Sequence, residues 1–70
     1  MNKDNLTHTM KEVLLLLQKG PRTDLELLIE IPKFSLELLG MLRDLDAIDH
    51  NGNLVYITSI GENYLERRNS

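Results

Sequence analysis

The chain has 70 residues, enough for one small domain with a marginal core, because small domains bury a smaller share of their surface. It contains no cysteine, which excludes disulfides and cysteine-based zinc sites and suits a reducing compartment. Its net charge of −3 at pH 7 argues against a nucleic-acid binder that relies on a general basic excess. The distribution of Lys and Arg therefore matters more than their sum.

No stretch of the sequence approaches the roughly 20 apolar residues that cross a bilayer. The first ten residues, MNKDNLTHTM, lack the basic and then apolar layout of a signal peptide. We therefore expect a cytoplasmic protein without a membrane partner.

A first helix is predicted for residues 5–19, and Thr9 with Glu12 matches a capping box near its start. Leu15 falls on the side of this helix opposite the residues expected to face the core. A monomer would expose it there, and single exposed leucines are normal on protein surfaces. Gly20 and Pro21 then break the helix, and a short link follows. The residues at the spacing of one helix face, which we expect to face the core, are Leu6, Met10, Val13, Leu14 and Leu17.

Two helices joined by a tight turn come next, at residues 24–31 and 35–46. Thr23 and Glu26 form a capping box for the first, and Pro32 ends it because proline lacks the N–H that a helix interior needs. Ser35 caps the second helix. Its expected core-facing residues are Leu38, Met41, Leu42 and Leu45. This arrangement can lay a helix into a DNA major groove, and it also occurs in helical domains that never touch DNA.

A β-hairpin is predicted for residues 47–58, with Asn51-Gly52 as its two-residue turn. Ser59 with Glu62 matches a capping box for a last helix, at residues 59–68. Gly61, early in that helix, would allow it to pack closely on the sheet.

The elements in this order resemble the winged helix-turn-helix domain of small bacterial, archaeal or phage transcription regulators. That fold is α+β, mainly α, with a three-helix core, a β-hairpin wing and a C-terminal helix. The resemblance covers most of the chain and is carried by three segments: VLLLLQKGP at 13–21, LRDLDAI at 42–48 and YITSIGENYL at 56–65. It implies a sequence-specific, commonly dimeric regulator that reads the major groove with helix 35–46, although fold alone does not fix function.

Carried over by position, the resemblance implies DNA contacts from the recognition helix, the residues before it and the hairpin tip. Lys33 and Arg43 would be the anchors, and Leu36 would touch thymine methyl groups. The chain departs from the family pattern, since its recognition helix has one arginine among apolar residues and its hairpin tip has no Lys or Arg. The implied DNA-binding residues are Arg22, Lys33, Ser35, Leu36, Leu39, Gly40, Arg43, His50, Asn51 and Asn53.

A second interpretation uses the same fold as a protein-interaction module that does not bind DNA. Leu15, Leu36 and Leu39 would then dock on a transcription or replication protein, because exposed apolar clusters mark interfaces. In a third, Leu36 and Leu39 pack locally against the turn and the hairpin. The predicted partner or dimer interface comprises Leu15, Leu36, Leu39 and Leu65, and a homodimer would use Leu15 and part of the last helix.

The sequence predicts no enzyme, cofactor or metal site. Its four glycines are too far apart for a phosphate-binding loop, and a domain of this size has little room for a catalytic pocket. We interpret His8 and His50 as surface residues. Asp44, Asp46 and Asp49 form a solvated acidic edge, since their spacing is not that of a calcium loop.

Overall fold

The computed structural model describes residues 7–67. Over this range the chain is a small α+β domain, mainly helical, as predicted. Within residues 7–67, no helix is long and apolar enough to cross a bilayer. The elements in chain order are α1 (His8–Gln18), β1 (Arg22–Thr23), α2 (Asp24–Glu30), α3 (Leu36–Asp44), β2 (Ile48–Asn51), β3 (Leu54–Ile57) and α4 (Ser59–Arg67).

The three strands form one antiparallel sheet in the order β1-β3-β2. β2 and β3 are the predicted hairpin. β1 pairs Arg22 with Val55 and Thr23 with Leu54, where the sequence predicts only a link. Two residues are too few to show the alternation of a strand, and their partner lies far along the chain. This pairing ties the start of α2 to the hairpin.

The hairpin turn is Gly52-Asn53 and not Asn51-Gly52. Asn51 pairs with Leu54, which leaves the two residues between them to make the turn. Gly52 has a φ of 64°, whereas Asn53 does not have a positive φ. A positive φ at the first central residue alone is the pattern of a type II′ turn, in which glycine is favoured at that place. The Asn-Gly signal thus predicts the hairpin correctly but its turn one residue early.

α1 begins at His8, later than the predicted residue 5, because Thr7 has extended backbone and is the N-cap. The Thr7 hydroxyl oxygen accepts a hydrogen bond from the Met10 N–H at 3.1 Å. Thr9, the predicted cap, is therefore already inside the helix. Leu6, predicted on the core-facing side, lies outside the described residues.

The predicted caps of α2 and α3 are confirmed, and that of α4 is not. Thr23 accepts a hydrogen bond from the third helical residue of α2, and Ser35 does the same for α3. In α4 the cap is Thr58, whose hydroxyl oxygen accepts from the Gly61 N–H at 3.0 Å, and not Ser59. Thr58 and Ser59 are adjacent and both are residue types that cap helices, so the sequence leaves the start of this helix open to a shift of one residue.

α2 and α3 end slightly before the predicted residues 31 and 46. Ile31, before Pro32, is extended and caps α2 at Glu30. α3 ends at Asp44, and Asp46 then adopts a left-handed φ of 62°. Aspartate tolerates this conformation better than most residues, and it turns the chain from the helix into the sheet.

One core joins all four helices to the hairpin. On α3, Leu42 is buried and Leu38 and Leu45 are partly buried against the core, as predicted, but Met41 is 48% exposed and Leu39, only 6% exposed, faces the core in its place. Both alternatives satisfy helical spacing because α3 is apolar on most of its circumference, so the sequence does not define its rotation. The buried residues are Met10, Val13, Leu14, Leu17, Leu27, Ile31, Phe34, Leu39, Leu42, Ala47, Ile48, Val55 and Leu65.

Thr58 and Gly61 fasten α4 to the chain that leaves α3. The Thr58 N–H donates to the Ala47 carbonyl at 3.0 Å, and its hydroxyl donates to the Asp46 carbonyl at 2.6 Å. A Cβ on Gly61 would collide with the Ala47 carbonyl oxygen and lie 2.8 Å from Ile57 Cγ1. The predicted close packing at Gly61 is confirmed.

We expect Thr58→Ala to lower the free energy of unfolding by about 1–2 kcal/mol, because it removes a helix cap and a second hydrogen bond. Urea denaturation followed by circular dichroism measures the loss. Thr58→Ser keeps the hydroxyl and is the matched control, with a smaller loss. Equal stability of the alanine variant and the unmodified protein would contradict this role of Thr58.

Candidate functional site

α3 packs on the domain through one side and leaves the other to solvent. Leu39 and Leu42 are buried, whereas Leu36, Gly40 and Arg43 are exposed and follow one another at spacings of four and three. Leu36 is 61% exposed. Apart from its chain neighbours and the backbone of α3 itself, no atom of residues 7–67 lies within 4 Å of the place where a Cβ on Gly40 would stand. A ligand can therefore approach the backbone closely at the middle of this face.

A second exposed row, Glu37, Met41 and Asp44, runs beside the first. Asp44 and Met41 also border a small apolar depression between α1 and α3, together with Met10 and Leu45. The outer side of α3 thus carries two carboxylates and one guanidinium group. Its charge alone would not attract a polyanion.

Two cationic side chains lie in or next to α3 along the chain, those of Lys33 and Arg43. Both are exposed, and neither forms an ion pair with another described residue. Lys33 lies in the turn before α3, and Arg43 lies in its last turn. These two residues therefore flank α3 at its start and in its last turn, and a helix of nine residues is about 13 Å long.

Arg22, predicted as a phosphate contact, is engaged within the domain. Its Nη1 donates to the carbonyl oxygens of Gly20 at 2.8 Å and Pro21 at 3.2 Å. Its Nε lies 3.7 Å from Glu30 Oε2, and its side chain is only 22% exposed. Because Glu30 already neutralises this charge, we leave Arg22 out of the candidate site.

Two leucines that the sequence placed on binding surfaces are buried. Leu39 and Leu65 are each 6% exposed and belong to the core. Leu39 faces inward because α3 is rotated away from the predicted orientation. The placement of Leu39 on a DNA or partner surface, and of Leu65 at a dimer interface, is therefore wrong.

The hairpin tip is polar and lacks a free cation. Asn51 and Asn53 are exposed, as is Asp49 just before them. His50 turns back towards α2, with its Nε2 3.6 Å from Asp24 Oδ1 and its side chain 25% exposed. Its predicted contact with DNA is not favoured by this position. The two asparagine amides are the donors that the tip can offer to a phosphate oxygen.

α2 carries an exposed apolar surface that the sequence analysis did not single out. Leu25, Leu28 and Ile29 are 65%, 44% and 72% exposed, on the side away from buried Leu27. Four aliphatic residues in a helix of seven exceed what one core-facing row can use, and this excess is the signal in the sequence. Contiguous exposed apolar surface of this kind marks an interaction site.

Leu36, Gly40 and Arg43 therefore lie on one exposed side of α3, and the exposed Lys33 and Ser35 come just before this helix. The exposed Asn51 and Asn53 are at the hairpin tip. Comparisons of the chain with protein-family models, with curated proteins and with solved structures found no match.

Proposed function

We propose that this chain is a winged helix-turn-helix module that binds double-stranded DNA and acts in transcription regulation, with α3 in the major groove. The observation that carries this proposal is the free side of α3. It presents backbone without a side chain at Gly40, between Leu36 and Arg43, and it is preceded by Lys33, which forms no ion pair with another described residue. A helix fits the major groove, and a side with short or absent side chains brings its backbone close to the bases.

Each residue of this surface has a distinct role in the proposed complex. Arg43 contacts a guanine edge or a phosphate, and Leu36 packs on a thymine methyl group. Lys33 and Ser35 meet the phosphate backbone at the start of the helix. Asn51 and Asn53 donate side-chain hydrogen bonds to the backbone from the hairpin.

The small number of cations limits the affinity of a single copy. With two phosphate or base contacts from Lys33 and Arg43, affinity should fall only about tenfold between 50 and 200 mM salt. Glu37, Asp44 and Asp49 weaken the attraction further. Two copies bound to neighbouring half-sites would bind far more tightly than one.

Amide NMR of the labelled chain with a mixed-sequence DNA duplex, at low and at moderate salt, tests the proposal. Shifts confined to residues 33–43 and 51–53 that fade as salt rises would support it. No shifts at low salt would overturn it.

Replacing Arg43 with Ala should weaken binding to that duplex about threefold to tenfold at low salt, because one of two cations is removed. Fluorescence anisotropy of a labelled duplex measures the change. Arg43 is exposed and unpaired among the described residues, so the melting temperature should not change. Lys11→Ala removes one positive charge from α1 and is the matched control. An equal loss in both variants, or none in Arg43→Ala, would contradict the placement of α3.

The exposed face of α2 favours a second candidate function, a protein-interaction module without DNA binding. Leu25, Leu28 and Ile29 would form its contact surface, replacing the predicted surface that depended on the buried Leu39. Glu26 lies among them and forms no ion pair with another described residue, and this suits a partner that is both apolar and basic. Ile29→Glu should abolish such an association and leave any DNA binding unchanged.

A further inference from the structure

The outer face of α1 has a charge pattern that is complementary to itself. Glu12, Leu15 and Lys19 are exposed and follow one another at spacings of three and four residues, opposite the buried side of the helix. Along the helix this face is acidic, then apolar, then basic. If a second copy of the helix lies antiparallel, its order is reversed. Acid then meets base at both ends, and leucine meets leucine between them.

This face borders an open groove of about 300 Å³ between α1 and the end of α2. Leu15 is 47% exposed, as the sequence predicts, and it is not isolated. The apolar lining continues with Leu16, which is partly buried, and with the exposed Pro32. The full lining is Glu12, Leu15, Leu16, Lys19, Glu30, Ile31 and Pro32.

We propose that two copies of this chain associate through antiparallel packing of their α1 helices, about a two-fold axis that passes between Leu15 and Leu16. Such an axis places Glu12 of each copy beside the partner's Lys19, because residues 12 and 19 are equally far from it in sequence. Each α1 also lies along the groove of the other copy, against its residues 30–32. The inference concerns the protein without DNA and does not depend on the proposed function.

A second copy fits this surface better than an unrelated partner because the surface supplies its own complement. The Glu12 carboxylate lies 3.4 Å from His8 Nε2 in the same helix, and its side chain is still 47% exposed, so it remains open to a second cation. α1 has 11 residues, a length of about 16 Å, which places the contact at the small end of specific interfaces. The dimer should therefore be weak and concentration-dependent.

Self-pairing of the apolar α2 face is less favourable. An antiparallel pair of α2 helices centred on residue 27 would set Asp24 of each copy opposite the partner's Glu30. No opposite charges would meet at either end, so this contact lacks the attraction that the α1 face supplies. The two apolar surfaces are therefore distinguished by their charge patterns.

Analytical ultracentrifugation of the full chain, from micromolar to millimolar concentration at low salt, tests the proposal. The unmodified chain should shift from monomer to dimer across this range. Glu12→Lys and Lys19→Glu should each weaken association about tenfold, since each turns two attractive pairs into repulsive ones. Carrying both changes in one chain should restore it. An equimolar mixture of the two single variants should form a heterodimer.

Leu15→Glu should abolish the dimer, because it sets two carboxylates near the axis. All three positions are exposed, so circular dichroism should show the same helix content in every variant. A monomer at all concentrations would overturn the proposal. So would a dimer that is insensitive to Leu15→Glu or that the double charge reversal fails to restore, since its contact would lie elsewhere.

Discussion

Replacing Gly61 with Ala should lower the free energy of unfolding by about 2–4 kcal/mol. The added methyl group would collide with the Ala47 carbonyl oxygen and approach Ile57 Cγ1 to 2.8 Å. The carbonyl cannot move away freely because it accepts the hydrogen bond from the Thr58 N–H at 3.0 Å. Relief therefore requires α4 to shift away from the sheet, which would disturb the packing of the buried Leu65.

Gly40→Ala is the matched control, because it makes the same change in a helix where the site is open. Outside its chain neighbours and the α3 backbone, no described atom lies within 4 Å of the new methyl group, so the gain in helix propensity should raise the stability by about 0.5–1 kcal/mol. Urea denaturation of both variants gives the two free energies. Changes of the same sign would contradict the close approach of α4 to residues 47 and 57.

The contacts at Gly61 and Thr58 also hold the two parts of the proposed DNA surface in place. The Thr58 hydroxyl joins the end of β3 to Asp46, which immediately follows α3 and its C-cap. This bond fixes the hairpin relative to the last turn of α3, where Arg43 lies. The hairpin and α3 can contact one DNA duplex together only if their relative position is kept. The stability of the domain and its proposed DNA binding therefore depend on the same small set of contacts.

Local signals in the sequence account for most of the fold. The helix pair follows from the caps at Thr23 and Ser35 and from the helix-ending Pro32, and each of these acts within a few residues. The Asn51-Gly52 dipeptide correctly indicates a hairpin. β1 could not be predicted, because its two residues become a strand only through pairing with Leu54 and Val55.

The sequence predicts a residue of the candidate site correctly where its exposure follows from its residue type. It fails where contacts with residues distant in the sequence determine the position of the side chain. Lys33, Leu36 and Arg43 are exposed as expected. Arg22 and His50 are drawn to Glu30 and Asp24 of α2, and no local pattern shows that these carboxylates come close. The rotation of α3 was also beyond the sequence, since it depends on which of several leucines the rest of the core accommodates.

That rotation leads to a prediction with a large effect. Leu39→Asp should unfold the domain or lower its stability by several kcal/mol, because it puts a carboxylate at a position only 6% exposed, among apolar side chains. A 70-residue domain has little stability to lose, on the order of 5 kcal/mol. The expected result is an amide NMR spectrum with poor dispersion and a melting transition that is lowered or lost.

Leu36→Asp is the control, since it introduces the same side chain three residues earlier on the same helix. Leu36 is 61% exposed, so this variant should keep a well-dispersed spectrum and a melting temperature close to that of the unmodified chain. It should weaken DNA binding, because it adds a negative charge to the face proposed to enter the major groove. If Leu39→Asp stayed folded and Leu36→Asp unfolded, α3 would be rotated so that Leu36 faces the core in place of Leu39. Gly40 and Arg43 would then not share an exposed side with Leu36. This result would contradict the proposal that α3 enters the major groove.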